Sequence, residues 1–270
     1  MIKLAITDLD GTFLKSDSTF DRDLYKKVKL LMDQKGVKFA PCTGKQCERV
    51  EELFGPELAS DLWILGDSAT RIKYQGEFVY QSLLPNQLGL QIIQQLEKIS
   101  LEYTIIACTP SAAIIKETTT ATDKQMVRGS YTTVETVKNL QEIREDFIKI
   151  TVFDAQGKCF EHVQQLDGFQ EDAYIVASEA SWIDISNVGV HKGTTVEQLQ
   201  QLLAVSKEET MVFGDGLNDL ELMPMGEYSF AMRNGFDQTK AAANFIAPSN
   251  DENGVLTTIE RLLRLQANVK

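Results

Sequence analysis

Short apolar runs alternate with stretches of helical periodicity at both ends of this chain, and a different texture fills the middle. Ile2-Lys3-Leu4-Ala5-Ile6-Thr7 predicts a strand, and Leu24, Val28 and Leu31 recur at helical spacing over roughly 20–35 until Gly36 supplies the stop. A strand over 37–42, a helix over about 45–54 and the run Leu62-Trp63-Ile64-Leu65, suited to a buried parallel strand, complete a β-α-β-α-β pattern. Between 71 and 81, Gln75-Gly76-Glu77 separates two strand-like segments and predicts a hairpin. Pro85 then opens a helix to about 99. Strands are expected near 103–107, 112–116, 148–153 and 173–177, and helices near 133–142 and 158–167. The β-α alternation resumes at about 188, with a helix over 192–204, a strand over 210–213, a helix over 217–223, a strand over 228–231 and a last helix over 255–266. The expected fold is therefore α/β: a doubly wound, mostly parallel sheet (a Rossmann-like core) formed by 1–82 and 187–270, split by an inserted α+β cap over 83–186.

Composition narrows the function classes. A chain of 270 residues with 43% hydrophobic residues can bury one large core or two smaller ones. The formal net charge of -12, without a basic stripe, argues against a phosphate-backbone partner, so no nucleic acid is expected. No apolar run approaches the ~20 residues of a membrane span, and the first residues carry Lys3 and Asp8 where a signal peptide would be apolar. No membrane partner and a cytoplasmic location follow as expectations. Cys42, Cys47, Cys108 and Cys159 lack close pairing, and His162 and His191 are the only histidines. Small buried hydrophobes in a reducing compartment describe these cysteines better than a zinc site does.

The candidate chemistry lies where predicted strands end. Asp8 and Asp10 follow the first strand, and residues two apart on an extended segment point the same way. Gly11 allows a sharp turn there, and the Thr12 hydroxyl can fix a neighbouring carboxylate or backbone group. Asp215 and Asp219 follow the strand at 210–213. They lie four apart, at a helix start whose dipole would also hold them as caps, although glycines on either side of Asp215 point to close backbone approach to something bound. Ligands of open α/β sheets bind outside the carboxyl ends of the strands, so both clusters can meet. Four carboxylates together imply a bound cation, and oxygen donors with no Cys or His nearby suit Mg²⁺. Asn218 adds a polar ligand or orienting group. Thr43-Gly44, at another strand-to-helix junction, offers free N–H groups and a hydroxyl to a phosphate oxygen. Lys192 is either a solvated surface lysine or the cation that offsets repulsion between an attacking carboxylate and a phosphate.

In order and spacing, Asp8-Leu9-Asp10-Gly11-Thr12, Thr43-Gly44, Lys192-Gly193 and Gly214-Asp215-Gly216-Leu217-Asn218-Asp219 resemble the four motifs of the haloacid dehalogenase superfamily. The insertion resembles its C2B cap, which makes the chain similar to the Cof-type phosphatases. The resemblance implies an Mg²⁺-dependent phosphatase of small phosphorylated metabolites, sugar phosphates foremost, working through an aspartyl phosphate. It implies Asp8 as nucleophile, Asp10 as general acid/base, and Thr43, Gly44 and Lys192 around the phosphoryl group. Asp8, the Asp10 carbonyl and Asp215 would bind Mg²⁺, with Thr12, Asn218, Asp219 and Asn234 in support.

Three places depart from the family pattern. Lys45 stands where Thr-Gly-Arg is usual, Asp67-Ser68-Ala69 where Asn-Gly-Ala is common, and Arg233-Asn234-Gly235 where Gly-Asn-Ala is usual, retaining the Asn. Asp67 would repel a phosphorylated substrate or bind one of its hydroxyls. Specificity would lie in the cap, where Lys124, Arg128, Tyr131 and Trp182 are candidates. A phosphomutase and a non-catalytic phospho-ligand-binding protein are the alternative readings; oligomeric state is silent.

Overall fold

The computed structural model describes residues 1–266, so the last part of the expected core segment, 267–270, lies outside them. Leu4–Thr7 is buried along its whole length as an interior strand of a parallel sheet. Lys38–Pro41 pairs with one of its edges and Thr210–Gly214 with the other, followed outward by Tyr228–Met232 and Phe245–Ala247, each neighbour parallel to the next. Chain order runs outward in opposite directions from the junction of Leu4–Thr7 with Thr210–Gly214. That junction is the switch point at which an open α/β sheet leaves a crevice.

Both faces of the sheet are covered. On one, Tyr25 and Val28 of the helix Arg22–Gln34 pack with Phe13, Phe20, Phe39 and Phe54, their aromatic rings lying 4.9–5.9 Å apart. The helix begins where the Asp21 side chain accepts a hydrogen bond from the Leu24 N–H, satisfying an otherwise orphaned donor. On the other face, Leu4, Ile6 and Val212 meet Val196 and Leu199 of the helix Lys192–Leu203. The core is thus a doubly wound α/β sheet, as the alternation predicts.

The run at 62–65 behaves differently from expectation. Ile64–Gly66 joins the parallel sheet through a bridge between Cys42 and Leu65, but its ladder runs antiparallel to Arg71–Tyr74, which in turn pairs with Glu77–Gln81. Positive φ at Gln75 and Gly76 closes this hairpin. A three-residue strand offers so little parallel ladder that the adjoining hairpin takes its other edge.

A second sheet lies over the crevice. Its order is Ala173–Glu179, Trp182–Asn187, Lys149–Phe153, Thr104–Cys108, Ala113–Lys116 and Val134–Val137. Side chains alternate across it with period two. Ile105, Ala107, Ile150, Val152, Ile183 and Ile185 pack against Ile92, Ile93 and Leu96 of the helix Asn86–Ile99. The intervening residues, among them Lys149, Thr151 and Asp184, look toward the core.

Several expected elements are corrected here. The helix expected over 133–142 is a strand, Val134–Val137, followed by a single turn, Leu140–Glu142; the helix of this region is Ala121–Ser130. Thr120 caps it by accepting from the Asp123 N–H, and β-branched Thr132, Thr133, Val134, Thr136 and Val137 favour the strand that follows. The helix expected over 217–223 reduces to separate turns, Leu217–Asp219 and Met223–Met225, the second carrying Pro224. Trp182–Asn187, Asp237–Ala242 and Phe245–Ala247 are additional elements.

Candidate active site

The loop after the first strand is one wide turn, closed by the Leu14 N–H donating to the Leu9 carbonyl at 2.8 Å. Gly11 adopts φ +75° within it, and a Cβ there would lie 2.4 Å from Asp215 Oδ2. Glycine is therefore required twice, by backbone conformation and by the close approach of the opposing acid. The Asp8 N–H donates to the Phe213 carbonyl, so the two acidic loops are registered by the same parallel ladder that orders the strands.

Around this junction the structure brings together Asp8, Thr12, Lys192, Asp215 and Asp219. Lys192 Nζ, 3% exposed, lies 2.6 Å from both Asp8 Oδ1 and Asp219 Oδ1. Thr12 donates to Asp215 Oδ1 at 2.5 Å, the fixing contact expected of its hydroxyl. Asp219 is fully buried, and its second oxygen accepts from the N–H groups of Asp215 and Gly216, each at 2.9 Å. It works as a brace that holds the Asp215 loop and Lys192 together.

Burial and mutual repulsion govern the titration of these groups. Desolvation pushes the Asp8 carboxyl well above the ordinary range; Lys192 opposes this, while Asp219 and Asp215 add to it. Asp215 is pushed from 3.8 up to about 7, chiefly by burial and then by Asp219, against the hydrogen bond from Thr12 and the charge of Lys192. Burial alone would lower Lys192, but Asp219 and Asp8 outweigh it and hold the ammonium well above its usual range. Oxygens of Asp8, Asp215 and Asp219 all lie within 4.8 Å of one another. A hard divalent cation fits this set, since it would relieve the repulsion that raises the carboxyls and would meet oxygen donors alone. Both Asp219 oxygens are already engaged, so Asp8 and Asp215 are the side chains placed to hold it.

The remaining candidates divide. Asp10, Thr43, Gly44 and Asn218 line the same cleft, whose volume is about 310 Å³. The Asp10 side chain is 56% exposed, with Lys45 Nζ 2.8 Å from its Oδ2. Thr43 is buried, and its Oγ1 accepts from the Lys45 N–H at 3.2 Å. Asn234 braces the loop: its amide donates to the Gly11 carbonyl at 2.7 Å, and its carbonyl accepts from the Asn250 N–H.

Of the cap candidates, Tyr131 and Trp182 line the cleft, whereas Arg128 is exposed and Lys124 donates to the Glu117 carbonyl. Sequence reasoning missed Lys149, Ser178, Glu179 and Asp184, which complete the cap side. Their signal lay in two apolar runs. Ile148-Lys149-Ile150 sets a charge inside a buried strand, and Ile183 and Ile185 alternate with Trp182, Asp184 and Ser186. Asp67 is buried, with one side-chain oxygen lacking a hydrogen-bond partner, and Asp67, Ser68 and Ala69 all adopt positive φ. Backbone bonds from Asp67 N–H to the Lys45 carbonyl and from Ser68 N–H to the Thr43 carbonyl hold this strained turn against the Thr43-Gly44 loop.

A doubly wound core with acidic loops converging at its switch point beneath an inserted cap defines a class, and comparison with known proteins gives the family. Residues 5–259 match the family of haloacid dehalogenase-like hydrolases, and the chain belongs to it. It is 28% identical over 268 residues to the 5-amino-6-(5-phospho-D-ribitylamino)uracil phosphatase YbjI of Escherichia coli K12, covering 98% of each chain. It is 25% identical to the phosphatase of the same name, YitU, of Bacillus subtilis, covering 97% of this chain and 98% of that one. The crystal structure of SMU.1108c from Streptococcus mutans superposes with a TM-score of 0.92 at 25% identity, covering 98% of this chain and all of that one. Among the described residues, no helix is long and apolar enough to cross a membrane.

Proposed function

We propose that this protein is an Mg²⁺-dependent phosphomonoesterase of small phosphorylated metabolites that works through an aspartyl phosphate. The observation that carries the reading is the buried triad of Lys192 with Asp8 and Asp219, set beside Asp215 at the switch point of the sheet. Asp8 is the nucleophile. One of its oxygens attacks phosphorus while the bond to the leaving oxygen breaks, and Asp10 gives that oxygen a proton. Asp10 then takes a proton from water as the water attacks the aspartyl phosphate, which releases inorganic phosphate and restores Asp8. Lys192 orients Asp8 and offsets the charge that the carboxylate and the phosphoryl group bring together. Thr43 and the N–H groups around Gly44 hold phosphoryl oxygens. Asp8, Asp215 and the Asp10 carbonyl would hold the ion, which supplies electrostatic stabilisation of the transferring group.

The cap closes the cleft against water during transfer. Arg49 of the core donates to the Tyr131 carbonyl, and the Gln46 side chain accepts from the Thr132 N–H and hydroxyl. The named activities of the E. coli and B. subtilis relatives support a phosphate ester on a hydroxylated carbon chain as the substrate. Four free, buried cysteines support a reducing compartment such as the cytoplasm. Hydrolysis of an aryl phosphate with and without Mg²⁺ tests the reading: activity lost on chelation and in Asp8→Asn is expected, and full activity in that variant would refute it.

A further inference from the structure

The cap side of the cleft carries one ammonium group and two carboxylates, and the ammonium group is already engaged. Lys149 is 2% exposed; its Nζ donates to the Gly44 carbonyl at 2.8 Å and to Ser68 Oγ at 3.0 Å, and lies 3.7 Å from Asp184 Oδ1. Two of its three protons are used in these hydrogen bonds, and its charge is set against Asp184. Asp184, its side chain 17% exposed, gathers hydroxyl groups: Ser68 and Thr151 donate to one oxygen and Ser178 to the other, at 3.1–3.2 Å. Glu179 lies in the same wall. Its carboxyl is raised first by burial and then by the negative charges of Asp10 and Asp184. On the core side, Lys45 is paired with Asp10 and Lys192 with Asp8 and Asp219, so among the described residues every ammonium group at the cleft already faces a carboxylate.

Resting on the phosphomonoesterase reading, we infer that Asp184 is a specificity-determining residue: it accepts hydrogen bonds from hydroxyls of a neutral leaving group and rejects leaving groups that carry a second anion. Protein hydroxyls rotate freely and can yield their place on a carboxylate to substrate hydroxyls. A carboxylate or second phosphate would instead face Asp184 and Glu179 across a partly dehydrated cleft, where like charges cost most. Lys149 tempers this field by neutralising part of Asp184. The same charge distribution disfavours a phosphomutase, which must seat a bisphosphate.

The test uses two esters of one six-carbon skeleton, sorbitol 6-phosphate and 6-phosphogluconate, which differ by a terminal CH₂OH or carboxylate. Each is measured as kcat/KM with Mg²⁺, or as a competition constant against p-nitrophenyl phosphate where turnover is too slow to follow. The wild type should favour the neutral ester by at least about tenfold. Asp184→Asn should cut that ratio several-fold, and Lys149→Met should increase it, because removing the ammonium exposes the Asp184 charge. Both esters are read on the same preparation, so loss of folded protein cancels from the ratio, and a merely structural role would not move the two variants in opposite directions. A wild-type ratio near one, or variants that leave the ratio unmoved or shift it the same way, overturns the assignment while leaving the phosphatase reading intact. Absence of Mg²⁺-dependent aryl phosphate hydrolysis overturns the phosphatase reading itself, and this assignment with it.

Discussion

Lys192 Nζ and Asp8 Oδ1 stand 2.6 Å apart although 184 residues separate them in the chain. The contact closes the core across the inserted cap, and the same ammonium reaches Asp219 at equal distance. Nearly all of this group is out of water, so its energetics follow the rule for buried ion networks: the intact set is close to neutral in stability, while removing one member is costly.

Lys192→Met should therefore destabilise the metal-free protein by about 3–5 kcal/mol, because Asp8 and Asp219 are left facing each other without a cation. Chemical denaturation at neutral pH checks this. The double variant Lys192→Met/Asp219→Asn should recover part of the loss, since one of the uncompensated charges is then gone.

Metal-free stability should depend on pH with a definite sign. Asp215 rises from 3.8 to about 7 on folding and Asp8 shifts the same way, so between those values the folded chain binds more protons than the unfolded one. Stability from these groups is present at low pH and is lost as pH rises toward about 7. Binding of Mg²⁺ requires the deprotonated carboxylates. Its affinity should increase from pH 5 to pH 8 and its binding should release protons, which titration calorimetry in buffers of different ionisation enthalpy would detect. Proton uptake, or affinity independent of pH, would contradict the assigned ligands.

Gly11→Ala should impair the metal site more than the fold. Its Cβ would press on the Asp215 carboxylate, and φ +75° disfavours any side chain. We expect at least about a tenfold loss of Mg²⁺ affinity together with a fall of roughly 1–3 kcal/mol in stability. A variant with wild-type affinity would mean that the loop has room to relax away from Asp215.

Asp10→Asn separates acid catalysis from attack. Without a proton donor, esters of basic alcohols should lose activity by roughly 10²–10⁴, while an aryl phosphate, whose leaving oxygen needs little protonation, should lose less in its first step. Burst kinetics on the aryl ester would then show the aspartyl phosphate accumulating, because the base proposed for its hydrolysis would be gone as well. Equal losses on both classes would remove Asp10 from the proton-transfer role.

Much of the core could be read from the chain. Strand and helix periods are local properties of the backbone, so the apolar runs at 2–7, 37–42 and 210–213 could be recognised as strands without knowing their partners. Acids just past such runs stand at the sheet's carboxyl edge in any doubly wound arrangement, and Asp8 and Asp215 do so here. Asp215 and Asp219 read as two residues on one face of a helix. Instead, Asp215 stands before the short turn Leu217–Asp219 and Asp219 lies inside it, its side chain accepting from the Asp215 and Gly216 N–H groups, so one is a site carboxylate and the other a buried brace.

Within the cap, the β-branched segment at 132–137 competed with a helical reading, and only its pairing with Ala113–Lys116 decided for strand. Ile64–Gly66 carried the right composition for a parallel strand, but pairing partners are chosen in three dimensions, and the hairpin took most of its ladder. Lys149 and Asp184 illustrate the limit most clearly. Alternation could have placed each on the polar face of a strand, yet nothing local says which surface that face will meet. The contact of Lys149 with the Gly44 carbonyl spans 105 residues and exists because one sheet folds over the other. The chain thus carried its own account of which residue types end which strands, since sterics and periodicity act over a few residues. Which charges share a cleft depended on how separately formed apolar faces packed, and that is a property of the tertiary structure alone.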